Sequence, residues 1–248
     1  MLLVYLVVLP FFPIFSMQEE KPDQVKLSDA LRLVGELNVA ISGDNHLLVA
    51  SMLAPTGSIN KAGIDINNSE QIGEHRLPLH VAIDYNRLAM VEFLVEKGGA
   101  QVVARDKVGH TALHRVACNN YIQVAETLLK YAPLGAVNIR GNDMTPLHVA
   151  AFANQLAMAQ LFLKHQADVH AEDFAGNTPL HIAEFRRYKD IAQALIQCGA
   201  NTDKKNKAGY RPDEMAILAK CDEENRDGNE EKSNDVKLVF VIRRIVRN

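Results

Sequence analysis

The pattern of apolar and polar positions in the middle of the chain repeats with a nearly constant period. A histidine preceded by leucine recurs with spacings of 34, 34 and 33 residues, at His80, His114, His148 and His181. Fourteen residues after each histidine stands a pair of large apolar residues, namely Leu94-Val95, Leu128-Leu129, Phe162-Leu163 and Leu195-Ile196. Apolar residues between these markers recur at helical spacing, so each period predicts two short helices joined by a turn.

The residues around each histidine also mark where the helices begin and end. Thr145 and Thr178 precede Pro-Leu-His, where a hydroxyl can cap a helix whose first turn tolerates proline. Gly-Ala pairs at Gly99 and Gly199 follow the second helices and are typical of helix ends. One pair of helices cannot bury its own apolar faces, so the units are expected to stack into a solenoid.

The segments Thr-Pro-Leu-His at 145–148 and 178–181 resemble the signature of the ankyrin repeat family. The resemblance implies an all-α fold, an ankyrin-repeat solenoid of about five to six helix–turn–helix units with β-turn or hairpin loops. The array is expected over 39–220, with clear units near 72–105, 106–139, 140–172 and 173–205 and a degraded unit at 206–220. Leu77 replaces the threonine of the signature, and Asp143 replaces a turn glycine. The loops at those two places should therefore be less regular.

The four periodic histidines do not predict a metal site. Equivalent positions of successive units should lie roughly 10 Å apart, the distance between packed helices, whereas zinc requires nitrogens at about 2.0–2.1 Å. The resemblance implies instead that each histidine hydrogen-bonds around its turn. No nucleophile, phosphate-binding or metalloprotease motif is present. We therefore expect no catalytic residue, no metal, no cofactor and no enzyme activity. Cys118 and Cys198 are predicted to be small packing residues.

Composition narrows the function further. The 248 residues carry 27 Lys and Arg against 30 Asp and Glu, a net charge of −3, which disfavours a basic nucleic-acid binder. Apolar residues make up 48%, which argues against wholesale disorder. Aromatic residues make up 6% and tryptophan is absent, so the core should be built from Ala, Leu, Val and Ile.

The two ends of the chain differ in composition from the repeats. Residues 1–17 carry no charged side chain, and Leu2 to Leu9 has the length of a signal-peptide apolar core. A signal peptide would make the protein secreted or periplasmic. A short membrane anchor or an apolar leader without targeting value are the alternatives, and without a signal peptide the protein is expected to be cytoplasmic. Residues 18–38 are expected to be a linker or N-terminal cap.

The carboxyl end is expected to be an acidic linker at 221–235 followed by a basic apolar segment at 236–248. Three uses of the last segment stay open: docking on the last unit as a cap, contact with an anionic membrane surface, or contact with a partner.

The resemblance implies that function lies on a concave face formed by turn tips and the exposed side of each first helix. The residues at those positions predict a partner-binding surface of Tyr85, Lys107, His110, Asn119, Met144, Phe152, Phe174, Asn177, Phe185, Arg186 and Tyr210. We expect a monomer that binds a protein partner as an adaptor, inhibitor or effector, exported if the leader is a signal peptide. The alternatives are a membrane-tethered scaffold or an accessory protein of an enzyme. Phe152 and Phe185 could instead pack between neighbouring units.

Overall fold

The structure, a computed structural model, describes residues 27–70 and 76–226. The apolar segment 1–17 and the basic segment 236–248 lie outside the described residues. Within the described ranges all regular structure is helical, apart from one isolated β-bridge between Gly141 and Met144. The all-α solenoid expected from the sequence is confirmed.

The helices form two rows. The inner row consists of α1 (Leu27–Ser42), α4 (Pro78–Asp84), α6 (Ala112–Asn119), α8 (Pro146–Phe152), α10 (Pro179–Phe185) and α12 (Pro212–Arg226). The outer row consists of α2 (His46–Leu53), α5 (Leu88–Glu96), α7 (Ile122–Tyr131), α9 (Leu156–Lys164) and α11 (Lys189–Gln197). A short α3 (Ser58–Lys61) and a 3₁₀ turn (Ala136–Asn138) lie in connections.

Each inner helix packs against the next inner helix, and all but α12 also pack against the outer helix that follows them in sequence. The described residues therefore contain five helix pairs and a sixth, unpaired inner helix. This arrangement agrees with the five to six units expected from the repeat period.

The core is made of small and branched apolar residues, as the composition predicts. Alanines on the inner helices are fully buried, among them Ala82, Ala117, Ala150, Ala151 and Ala183. Phe162 is the only Phe or Tyr in the buried core of the described residues. Small side chains at these contacts allow the inner helices to approach closely.

Two helix boundaries differ from those expected. Helix α1 begins at Leu27, inside the segment 18–38, because Val34, Leu37 and Ile41 form an apolar stripe that is fully buried. At the other end, α12 runs to Arg226, so the first part of the expected acidic linker 221–235 is helical. The residues after Ala219 include Lys, Glu and Arg, which favour continued helix.

The prediction that Cys118 and Cys198 pack as small apolar residues is wrong. Both are exposed. Cys118 follows the fully buried Ala117, and one step along a helix turns the side chain by about 100°. Cys198 is the residue that ends α11.

Candidate functional site

The turn tips are held by a hydrogen-bonded contact from each histidine to the next unit, which we call a histidine rung. In the first rung the backbone N–H of Thr111 donates to Nδ1 of His114 at 3.2 Å, and Nε2 lies 2.9 Å from the Met144 carbonyl oxygen. His148 and His181 repeat the contact, with Nε2 at 3.1 Å from the carbonyl oxygens of Asn177 and Tyr210 respectively. The structural role expected for these histidines is confirmed.

Burial keeps the rung imidazoles neutral. It lowers the pKa of His114 to about 4 and also lowers the pKa values of His148 and His181. In the neutral form Nδ1 accepts from the backbone and Nε2 donates to the carbonyl. A second proton on Nδ1 would face the threonine N–H instead. These histidines are thus committed to the stack and are not free for acid–base chemistry.

His80 departs from the other three. It is 1% exposed, yet its Nδ1 has no hydrogen-bond partner. Leu77 stands where threonine caps the equivalent helices, and α4 has no side-chain cap. Burial, with a smaller contribution from the charge of Arg115, lowers the pKa of His80 to about 3. The loop expected to be irregular at Leu77 therefore lacks the rung.

Each regular turn is organised by one side-chain oxygen at its base. Oδ1 of Asp106 accepts from the backbone N–H groups of Val108 at 3.0 Å and His110 at 2.8 Å. Asp173 accepts from Ala175 and Asn177 in the same way, and Asn206 from Ala208 and Tyr210.

The turn at 141–144 is built differently. Arg140 occupies the position of these acceptors. Gly141 and Met144 instead exchange backbone hydrogen bonds across Asn142 and Asp143, whose φ values are 49° and 62°. Two consecutive positive φ angles are typical of a tight hairpin turn.

Neighbouring turns contact one another directly. The backbone N–H of Lys207 donates to the Ala175 carbonyl at 3.0 Å, and Nζ of Lys207 donates to the Phe174 carbonyl at 2.7 Å. Gly176 lies in this contact with a φ of +76°, and a Cβ there would stand 2.9 Å from the Lys207 nitrogen. The last two turns therefore form a closely packed edge.

The predicted surface residues fall into two groups by exposure. Those that are exposed are Tyr85, Lys107, Asn119, Phe174 and Arg186. Those that are half-buried are His110, Met144, Phe152, Asn177, Phe185 and Tyr210. Tyr85 at 58% and Phe174 at 43% exposure are the most accessible of the aromatic side chains in this set.

Arg186 and Phe152 connect two adjacent units. The guanidinium carbon of Arg186 lies 4.0 Å from the centroid of the Phe152 ring, within the range of a cation–π contact. Phe152 is therefore partly covered by a charged residue of the next unit, and neither Phe152 nor Phe185 belongs to the buried core.

The side chains of two predicted surface residues already contact other residues of the protein. Nδ2 of Asn177 donates to Oδ2 of Asp173 at 3.1 Å, and its Oδ1 accepts from Asn206 at 2.8 Å. The His110 ring stacks on His114 with centroids 5.3 Å apart. Their side chains already have partners within the turns.

An ion-pair cluster joins α4, α6 and the segments beside them, and none of its residues belongs to the predicted surface. Nη1 of Arg115 lies 3.4 Å from Asp84, and Nη2 lies 2.9 Å from Asp106. Nη1 of Arg76 lies 2.6 Å from Asp84. One feature of the sequence could have indicated this cluster. Arg115 is charged, whereas the equivalent residues of the other units are apolar, namely Val81, Val149 and Ile182. Because Arg115 joins the end of α4 to the base of a turn, helix ends and turn tips share one side of the stack.

Other kinds of site are not found in the part of the chain that the structure describes. No group of three or more His, Cys, Asp or Glu side chains there could hold a metal ion. None of the helices described combines the length and apolar character that a bilayer crossing needs.

Comparison with known proteins identifies the family to which the repeats belong. A family profile described as ankyrin repeats (3 copies) matches residues 37–140 and 133–206, which together exceed half of the chain. The chain belongs to the ankyrin repeat family. Ankyrin repeats are modules for protein–protein interaction, which is the general class of function that the family indicates.

Individual relatives match only the repeats. A Fowlpox virus (strain NVSL) protein named as an ankyrin repeat protein is 34% identical over 115 residues, which is 46% of this chain and 33% of the relative. The nuclear factor NF-kappa-B p105 subunit of Rattus norvegicus is 28% identical over 140 residues, 55% of this chain and 14% of the relative. Delta-latroinsectotoxin-Lt1a of Latrodectus tredecimguttatus is 34% identical over 102 residues, 40% of this chain and 8% of the relative. The alignments span a third or less of the length of these relatives.

Proposed function

We propose that this ankyrin array binds a protein partner through one face, formed by the turn tips and the ends of the inner helices, and that it acts without catalysis. We call this the inner face. Its proposed contact residues are the exposed Tyr85, Lys107, Asn119, Phe174 and Arg186, together with the accessible parts of Phe152, Phe185, Met144 and Tyr210. An adaptor, an inhibitor or an effector would each use such a face.

The observation that carries the proposal is the Arg186–Phe152 contact. Arginine and aromatic side chains are enriched among the residues that dominate binding energy. Here the guanidinium is already ordered over the ring at 4.0 Å, so less side-chain freedom is lost when a partner covers the pair. The pair also joins two units, so a partner that covers it would contact both of them.

The inner face has two regions of different chemistry. Near α4 and α6 it carries the ion-pair cluster of Arg76, Asp84, Arg115 and Asp106. Near α8 and α10 it carries Phe152, Phe185 and Arg186, with Phe174 at the adjacent turn. Apolar anchors supply most of the affinity at an interface, whereas charged groups chiefly set orientation and specificity. The aromatic region is thus the proposed anchor.

The test compares two double variants, each of which replaces two exposed side chains with alanine. Tyr85→Ala with Phe174→Ala removes exposed rings from the inner face. Leu47→Ala with Leu134→Ala removes side chains that are 86% and 98% exposed on or beside the outer row. Both variants should keep the free energy of unfolding within about 1 kcal/mol of the parent. Only the inner-face variant should lose the partners identified by affinity capture and mass spectrometry.

A footprint on cysteine supplies a second readout. Cys118 lies at the end of an inner helix and Cys198 at the end of an outer helix, and both are exposed. A bound partner should protect Cys118 from iodoacetamide while Cys198 reacts as before. Equal partner loss in both double variants, or protection of Cys198 alone, would contradict the proposal.

A further inference from the structure

The first helix pair carries an apolar groove on the side that faces away from the rest of the stack. The groove has a volume of about 1000 Å³, and its apolar lining includes Leu33, Val39, Leu48 and Met52. Val39 is 71% exposed and Leu48 is 44% exposed. On the other side of α1, Asn38 donates to the Arg76 carbonyl at 2.9 Å, which marks the side that meets the next unit.

The opposite end of the stack carries polar residues at two positions that are apolar in the preceding units. Asp213 occupies the position of the core residue Leu180 and has a side-chain exposure of 65%. Lys189 is exposed where the preceding outer helices carry Leu88, Ile122 and Leu156. A terminal unit of a repeat array needs a polar outer face to remain soluble. The last unit meets this need in part, with Ile196 and Ile217 exposed as single apolar residues, whereas the first unit presents the continuous apolar groove.

We propose that residues 1–17 of this chain occupy the groove and cap the array. The segment is apolar and carries no charged side chain, so it matches the lining of the groove. Nine residues, 18–26, separate it from Leu27. Extended, they reach about 30 Å, which exceeds the roughly 24 Å length of α1. The connection is therefore long enough for the segment to return along either direction of the helix.

The other apolar end of the chain is a poorer match. Residues 236–248 carry four basic side chains and follow the last unit. With about 10 Å between packed helices, five unit steps along the stack amount to roughly 50 Å. The nine residues 227–235 reach about 30 Å. The amino-terminal segment is the one whose charge and position suit the groove.

This proposal requires residues 1–17 to stay attached, whereas a signal peptide would be removed. Intact mass spectrometry of the full chain isolated from its natural source should show these residues. A mass that lacks them would overturn the proposal.

The direct test is a cross-link within the full chain. Cys118, Cys198 and Cys221 are replaced by serine, Val39→Cys marks the groove, and a second cysteine is placed in turn at Leu3, Leu6 or Leu9. A short bismaleimide should join Val39→Cys to at least one of these positions within a single chain, with a yield independent of protein concentration. Ile217→Cys, which is 63% exposed on α12, is the matched control and should not cross-link.

Other cross-linking outcomes count against the proposal. A product that joins two chains and increases with concentration would assign the groove to a second copy. The absence of any product with Val39→Cys would also overturn the proposal.

A stability measurement checks the result without new cysteines. Val39→Asp with Leu48→Asp should lower the thermal midpoint of the full chain, and removal of residues 1–17 should lower it similarly. The two changes together should add nothing further, because they disrupt one contact. Ile217→Asp should leave the midpoint unchanged. Additive effects, or a midpoint insensitive to removal of 1–17, would contradict the proposed contact.

Discussion

Single residues in this protein show how far one repeated motif can diverge while the fold persists. The histidines could be assigned a structural role from sequence because their spacing excludes a shared metal, and the rungs confirm that role. The missing rung at His80 occurs in the unit that carries Leu77 in place of the capping threonine. The exposure of Cys118 agrees with its equivalence to Phe152 and Phe185, which the resemblance assigns to the exposed side of the first helices.

The first prediction contrasts two histidines. His148→Leu leaves the Thr145 N–H and the Asn177 carbonyl without partners, so the free energy of unfolding should fall by about 2–4 kcal/mol. His80→Leu removes a buried Nδ1 that already lacks a partner, so its effect should stay within about 1 kcal/mol. Urea unfolding of both variants measures the difference. Equal losses would show that His80 makes a bond of equal value.

The second prediction concerns pH. The folded-state pKa values of His80 and His114, about 3 and about 4, lie below the usual 6.5 because burial disfavours the charged ring. The unfolded chain therefore binds more protons below about pH 6.5, and stability should fall as the pH drops from there towards 4. Each such histidine contributes at most about 1.4 kcal/mol per pH unit.

Urea midpoints at pH 7.5, 6.0 and 5.0 test this dependence. His80→Leu serves as the control and should show a shallower decline, since one titrating group is gone. A midpoint that is constant between pH 7.5 and 5.0 would be inconsistent with buried neutral imidazoles.

Among the elements, helix starts were predictable and helix ends were less so. The Thr-Pro-Leu-His segments give capped starts at α8 and α10, as their sequence requires. Helix α12 keeps a related start without histidine, because the Arg211 N–H donates to the Glu214 carboxylate at 2.7 Å. Its extension to Arg226 depends on the absence of a stop signal after Ala219, which the repeat pattern does not encode.

The third prediction concerns the contact between turns. Gly176 and Gly199 both have positive φ, at +76° and +90°, but only Gly176 has atoms of a neighbouring turn within reach of an added Cβ. Gly199→Ala should cost about 1 kcal/mol for the left-handed backbone. Gly176→Ala should cost at least about 1 kcal/mol more, since Lys207 must shift.

Amide hydrogen exchange shows where in the structure the additional stability of Gly176→Ala is lost relative to Gly199→Ala. The Lys207 N–H, which donates to Ala175, should exchange faster in Gly176→Ala and at the parental rate in Gly199→Ala. If the Lys207 N–H exchanged at the same rate in both variants, the added methyl group would not disturb the contact between the turns, and the prediction would be wrong.

In the whole molecule, stability should depend on position along the stack, because the inner helices of the described units pack against those of the neighbouring units. The family and the number of units could be predicted from the period together with the Thr-Pro-Leu-His signature and the degraded units at its two ends. The ion-pair cluster around Arg115 could not, since it joins residues of two units whose relative placement the sequence does not give.

The fourth prediction compares a central with a terminal core residue. Phe162→Ala, in the outer helix of an internal pair, should cost about 3–5 kcal/mol and lower exchange protection in the units on both sides. Leu37→Ala, in the first inner helix, should lower protection mainly in α1 and α2. Hydrogen exchange resolved by unit distinguishes these patterns. Uniform loss of protection in both variants would indicate that the array unfolds as one body.

The histidine rungs also allow contacts between neighbouring units to be followed by NMR spectroscopy. Because Nε2 of each rung histidine contacts a carbonyl of the following unit, its ring resonances report on the neighbour rather than on its own helix. The signals of His114, His148 and His181 therefore monitor the attachment of the units that begin with α8, α10 and α12 respectively. If the three histidine signals are followed during thermal unfolding, they would give the order in which the units separate.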